Sequence, residues 1–450
     1  MGSDGSNDAA VERLRAMIRV PTVSRAAPEL ADESQFAAFR ALLAALYPLT
    51  HARLELELVD GGSLLFRWPG HSGGDDSLGP SVLMAHYDVV PADEPGWTHP
   101  AFGGELSGEG AELRIWGRGA IDDKGMLACI IEAVEAALAD GVTPARDVYL
   151  SFGHNEETQG AGAEAVVRLL ESRGIRCGLV IDEGGAIVEG MLPGVAGPIA
   201  MIGLSEKGIA GVELIAEKQG GHAATPARNG ATALLARAIL ALEAHPSRAE
   251  LSEPSIAMLE AASTRAPGVR GWLYRHARAL RGPLARAMAR SGPEQAAVVR
   301  TTRAVTRLSG SAGDNVLAER ATAMVNVRIA TGSSVELAVR DIQKVVGDGI
   351  LVRLVYGSDP PPVSRREGPA WDALIRTIAA TFPRTIPSPF IMIQASDARH
   401  FTRISDTVYR FLPFDLTLGE REALHAVDES IRVSTYLDGI RFFRRLIAEL

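Results

Sequence analysis

A chain of 450 residues is too long for one ordinary core and points to about two or three domains. With 46% hydrophobic and 22% charged residues it is globular rather than disordered, and a net charge of −9 argues against a nucleic-acid protein. Two cysteines, Cys129 and Cys177, are too few for a disulfide framework and favour a reducing, cytoplasmic location.

The N-terminal MGSDGSNDAA is polar and acidic and reads as neither a signal nor a transit peptide. No apolar run reaches the roughly 18 residues of a membrane-spanning helix. Helical periodicity covers residues 8–19 and 32–47. Strand and helix patterns then alternate. LELELV (54–59), SLLFRW (63–68) and SVLMA (81–85) read as strands, residues 124–140 as a helix, and DVYLSF (147–152) as a strand. Residues 161–172 follow as a helix and CGLVID (177–182) as a strand. This alternation predicts an α/β fold, a mostly parallel sheet covered by helices.

The pattern changes near Lys207-Gly208. GVELIAEK (211–218) alternates like a half-exposed strand; a helix (229–245), a strand (321–330), a helix (334–346) and a strand (350–357) come after it. That run predicts a smaller α+β two-layer unit over 208–363, inserted into a larger unit made of 1–207 and 364–450. The Pro cluster DPPPVS (359–364) marks the return, and 371–382 reads as a helix of the larger unit. Between Thr264 and Arg307 stand ten arginines and one acid, Glu294. This stretch reads as a solvated helical insertion, about 250–305, in the smaller unit; a surface for anionic lipid is the other reading.

Metal-binding residue types stand at the strand ends. SVLMA runs into His86, with Asp88 two residues on; DVYLSF leads to Glu156-Glu157; CGLVID ends at Asp182-Glu183. GRGAIDDKG (117–125) carries Asp122-Asp123 in a glycine turn that opens a helix. Ligands of open α/β sheets bind outside the carboxyl ends of the strands, so these side chains can converge at one edge. Singly, each has a plainer reading: a loop histidine, a solvated acidic pair, a helix N-cap. Together, one imidazole and several carboxylates suit zinc.

In order, H-x-D, GRGAxDDKG, a Glu-Glu pair, DEGG and GGHxxxP resemble the two-zinc exopeptidase family. That family includes the aminoacylases, the carboxypeptidase S type, glutamate carboxypeptidase and succinyl-diaminopimelate desuccinylase. DDKG and DEGG are most similar to the carboxypeptidase S and N-acyl-amino-acid hydrolase branch. The resemblance runs from about residue 10 to the C-terminus.

It implies two Zn(II) ions per subunit, cobalt or manganese being able to share such ligands. The implied ligands are His86, Asp122 as the bridge, Glu157, one of Asp182 and Glu183, and His425 in LHAVDE. His400 in SDARHF is the rival to His425. Glu156 is implied as general base, and Asp88 as the partner that orients His86. His222, in GGHAATP, is implied as an oxyanion donor reaching the site of a partner subunit in a homodimer. Asn315, Arg328 and Arg399 are implied contacts to substrate; a guanidinium grips a carboxylate bidentately. Two positions depart from the pattern: Asn155 stands where an Asp often precedes Glu-Glu, and Gln394-Ala395 replace two glycines before Ser396.

The expected activity is zinc-dependent hydrolysis of an amide bond next to a free carboxylate, as in a carboxypeptidase, dipeptidase or N-acyl-amino-acid hydrolase. A related deacylase or carbamoyl-type amidohydrolase is the first alternative. The second is a non-catalytic zinc-binding scaffold.

Overall fold

A computed structural model describes residues 4–25, 27–71, 78–93 and 95–450, so the first three residues of the acidic N-terminal stretch lie outside the described part. Its largest sheet has eight strands. In spatial order they are Glu55–Val59, Ser63–Trp68, Val148–Gly153, Ser81–His86, Leu179–Val188, Val408–Leu416, Ile199–Glu206 and Ile386–Met392. The four from Val148–Gly153 to Val408–Leu416 run parallel. An antiparallel hairpin forms one edge.

The parallel centre is buried on both faces, which is why SVLMA and VYLSF are nearly unbroken apolar runs. Helices Asp4–Ile18, Glu33–Leu46, Lys124–Ala139 and Val433–Ile447 cover one face. Helix Lys124–Ala139 is buried on almost every side, between the sheet and Val433–Ile447. On the other face Gly162–Ser172 lays down Ala163, Val166, Val167 and Leu170. Each such side chain is worth roughly 1.5–3 kcal/mol when fully buried.

A second sheet has four antiparallel strands, in the order Thr302–Ser309, Arg320–Ile329, Gly208–Glu217 and Leu351–Ser358. Helices Ala231–Ala244 and Val335–Val346 close its own core. Strand Gly208–Glu217 is more buried than its alternation suggests, because it lies inside this sheet and not at an edge.

The arginine-rich stretch forms helices Glu253–Ala262, Gly268–Arg275, Arg281–Ser291 and Pro293–Val299. Here the sequence expectation needs correction. Ile256, Leu259, Tyr274, Ala285 and Val299 join the core of the eight-stranded sheet, not that of the smaller one. Helix Glu253–Ala262 packs on strand Ile386–Met392, and the Tyr274 hydroxyl donates to the Pro193 carbonyl at 3.0 Å.

Candidate metal centre and cavity

Each chemical residue reaches the carboxyl edge of the sheet on its own element. His86 is the last residue of its strand and is 2% exposed. Its Nδ1 faces Asp88 twice, the backbone carbonyl at 3.0 Å and the carboxylate at 3.3 Å. That leaves Nε2 turned toward Asp122 Oδ1 at 3.1 Å and Glu183 Oε1 at 3.7 Å. Burial works against a charged ring here, but the bonds to Asp122, Asp88 and Glu183 outweigh it and push His86 up.

Asp122 uses both oxygens: Oδ1 meets His86, and Oδ2 meets His425 Nε2 at 3.0 Å. His425 Nε2 also lies 3.2 Å from Glu157 Oε2. Bonds to Asp122 and Glu157 push His425 up to about 10. The turn that presents Asp122 is held from below by Glu429, which is fully buried. Glu429 Oε1 accepts the N–H groups of Ile121 and Asp122, and Oε2 accepts that of Gly119 and pairs with Arg118 at 2.7 Å. Sequence reasoning assigned Glu429 no role; its place in HAVDE, four residues after His425, was the available signal.

The Glu156-Glu157 pair forms a single 3-10 turn after its strand. Asp88 fixes that turn by accepting both backbone N–H groups at 3.1 Å. Burial first, then neighbouring carboxylates, pushes Glu156 well above the usual range. Burial and Asp122 likewise raise Glu157.

Strand Leu179–Val188 does not end at Asp182-Glu183, as its apolar run suggested, but continues through Gly184-Gly185. Gly184 has φ +134°, and a Cβ there would meet Met392 Sδ at 2.3 Å and Arg410 Cβ at 2.9 Å. Only glycine fits that bend. Glu183 turns into the cluster; burial and Asp122 push it up to about 8. Asp182 turns away, and its Oδ2 accepts the Ala398 N–H at 2.8 Å.

Donor atoms of His86, Glu156 and Glu183 gather within 4.8 Å of one another, and so do those of His86, Asp122 and Glu157. Two features fit divalent cations. The acids are held close against their mutual repulsion, and Glu157 Oε1 is buried with no hydrogen-bond partner.

The cluster opens into a cavity of about 530 Å³. Its carboxylates and His425 face walls that include Val188, Met201, Val298, Phe390, Leu412 and Leu416. Arg421 and Glu294, 3.7 Å apart, form a charged spot on the wall.

The remaining predicted residues lie elsewhere. His222 is exposed, and its Nδ1 accepts the Ala224 N–H. The short ladder pairing His222 with Val316 brings Asn315 beside it, and Ala223 N–H donates to the Asn315 carbonyl at 3.0 Å. Arg328 is half-buried, with Nε on Asn326 Oδ1. None of these three lines the cavity. Arg399 spends Nη1 on the Ser396 carbonyl at 2.7 Å. His400 is half-buried and held down to about 4 by burial and Arg399, and it lies outside both donor clusters.

The chain is 32% identical over 449 residues to N-fatty-acyl-amino acid synthase/hydrolase PM20D1 of Homo sapiens, covering 97% of this chain and 86% of that one. It is 31% identical over 423 residues to probable carboxypeptidase S-like 2 of Dictyostelium discoideum, covering 92% and 79%. Among solved structures, an M20 family metallo-carboxypeptidase, Sso-CP2 of Sulfolobus solfataricus, shares the fold with a TM-score of 0.67 at 17% identity, covering 97% and 98%. Residues 82–449 match peptidase family M20/M25/M40, and with these relatives along nearly its whole length the chain belongs to that family.

Proposed function

We propose that the protein hydrolyses the amide bond of N-acyl amino acids whose acyl group is long and apolar. The observation that carries this reading is the cavity, which sets the carboxylate and histidine cluster against an apolar wall. A dipeptidase has no need of so much apolar surface beside its scissile bond. The similarity to PM20D1, whose name is that of an N-fatty-acyl-amino acid synthase/hydrolase, supports the same choice.

Two divalent ions, zinc by the donor chemistry, fit the cluster. His86, Asp122 and Glu183 would hold one, and Asp122, Glu157 and His425 the other. Bound there, such ions polarise a scissile carbonyl and lower the pKa of a bound water. Glu156 stands beside His86 and Glu183 but is not needed to complete either of these donor sets, so it would be free to take a proton from the attacking water and return it to the leaving amine. Asp88 keeps Glu156 and Glu157 apart in these roles by fixing their backbone.

His222, Asn315 and Arg328 act on substrate from the smaller unit built on the four-stranded sheet, which, without the helices of 253–299, serves as lid and dimerisation unit. Their position away from the cavity supports a site completed by a second copy of the chain. Mixing His222→Ala and Glu156→Gln proteins tests this directly: a shared site regains activity, and a site within one chain stays dead. The buried free thiols of Cys129 and Cys177 support the expected cytoplasmic location. Among the described residues no helix is long and apolar enough to cross a membrane.

The deciding experiment is turnover of an acyl-length series beside a panel of dipeptides. With about 0.8 kcal/mol per buried methylene, kcat/KM rises roughly fourfold per added carbon until the cavity is full. Glu156→Gln lowers turnover by about 100-fold or more while still binding metal. A preference for dipeptides, with no dependence on acyl length, overturns the reading.

A further inference from the structure

We infer that the helical segment 253–299 docks the protein onto a lipid surface bearing negative charge. The segment is firmly placed, because its inner faces belong to the main core. What it turns outward is unusual for a chain of net charge −9. Val269 is 76% exposed and Trp272 55% exposed. They are three residues apart on helix Gly268–Arg275 and therefore share a face, opposite the buried Gly271 and Tyr274.

The same helical segment carries unpaired basic residues. Arg270, Arg275, Arg281, Arg286 and Arg290 are all exposed and have no ion-pair partner among the described residues. Their neighbours differ: Arg278 is paired with Glu253, and Arg303 lies 3.6 Å from Asp341. An exposed tryptophan and valine on a segment that also exposes five unpaired arginines suit an interface where apolar carbon meets anionic headgroups. A polyanion in solution accounts for the arginines but leaves Val269 without a role.

The last helix of the segment supplies a second connection. Val298 and Glu294, on Pro293–Val299, line the apolar cavity. The body that meets the lipid surface thus also walls the space proposed for an acyl chain. The docking step itself does not depend on that substrate reading, since attachment is measured without turnover.

The test is co-sedimentation of the full-length, metal-loaded protein with vesicles of phosphatidylcholine alone or mixed with phosphatidylglycerol. Binding is expected to the mixed vesicles only, and to weaken with added salt. Each of Arg270→Gln, Arg275→Gln and Arg286→Gln lowers the partition coefficient about fivefold, the equivalent of roughly 1 kcal/mol per arginine near such a surface. Trp272→Ala lowers it as well, and a blue shift of tryptophan emission on binding disappears in Trp272→Phe. Hydrolysis of a short, water-soluble substrate stays unchanged in all five variants, which separates lost docking from lost folding. Equal sedimentation with neutral and charged vesicles overturns the inference. So does binding to heparin but not vesicles, or vesicle binding unaffected by the arginine and tryptophan changes.

Discussion

The carboxylate of Asp88 accepts the backbone N–H of Glu157 with one oxygen while the other accepts that of Glu156, both at 3.1 Å. One buried side chain therefore sets two adjacent residues that face different tasks. Asp88→Asn keeps the size but offers a single acceptor, so one of the two amides then faces an NH2 group. Outer partners of this kind typically govern 10–100-fold in activity or metal affinity. The expected result is a fall of about that size in kcat/KM, carried by kcat, with little change in KM. Steady-state kinetics and metal titration check it, and an unchanged kcat would refute the positioning role.

The metal-free cluster ties stability to pH. Glu183 is raised from 4.5 to about 8, and His425 from 6.5 to about 10. Both groups bind protons more tightly in the folded state, so each contributes stability that is complete below its unfolded pKa and lost as pH rises to its folded one. Asp122 is shifted the other way, by His425 and His86 against its own burial, and its contribution fades only in strong acid. Stripped protein should therefore melt at progressively lower temperature from about pH 4.5 to about pH 10, through Glu183 first and His425 above it. Adding zinc, cobalt or manganese should release protons and remove this slope. A metal-free Tm that is flat across the window contradicts the assignment.

How much of this was legible in the sequence depends on where the information lay. The strands ending at His86 and before Glu156 were readable because parallel strands buried on both faces are continuous apolar runs. Ile386–Met392 was not, since Pro387 and Pro389 argue against a strand. It survives because it is the outermost strand of the sheet, where a missing N–H costs little. Val408–Leu416 was hidden by Arg410, a charge in a strand interior that is explained only by Glu206, far away in sequence. The helices of 253–299 showed their amphipathic pattern, but periodicity cannot say which of two cores a helix will join. The cavity was invisible for the same reason, as its walls come from distant segments.

Asp182 and Glu183 could not be separated by sequence, and they separate here by direction. Glu183 faces His86, whereas Asp182 is engaged with the Ala398 amide. Glu183→Gln should cost one of the two metal ions and most activity. Asp182→Asn should keep both ions and act through the Gln394–Arg399 loop, changing KM more than kcat. Metal content by atomic emission distinguishes the two, and loss of an ion in Asp182→Asn would reverse the assignment.

Glu429 offers a test of how Asp122 is held. It satisfies three backbone amides of the Gly119–Asp122 turn and pairs with Arg118, itself 1% exposed. Breaking one member of a buried pair costs about 3–5 kcal/mol, because the other charge is left without a partner. Glu429→Gln should destabilise the protein by about that amount and loosen both metals together, since Asp122 belongs to both donor sets. Denaturant unfolding of the metal-loaded variant measures the first effect and metal titration the second. Loss of a single ion would mean that the turn does not depend on Glu429.

The acyl cavity can be shortened from its wall. Val298 is half-buried and projects from helix Pro293–Val299, so a larger side chain there fills cavity space without disturbing the sheet. Val298→Phe should move the preferred acyl length down by a few carbons. Each methylene that no longer fits forfeits about 0.8 kcal/mol, so long substrates lose roughly fourfold in kcat/KM per excluded carbon. Acetylated amino acids, too short to reach that wall, should be hydrolysed as before. This pattern separates a steric stop from general damage, which lowers all substrates alike. If Val298→Phe leaves the length profile unchanged, the acyl chain does not run along this wall, and the cavity serves some other group.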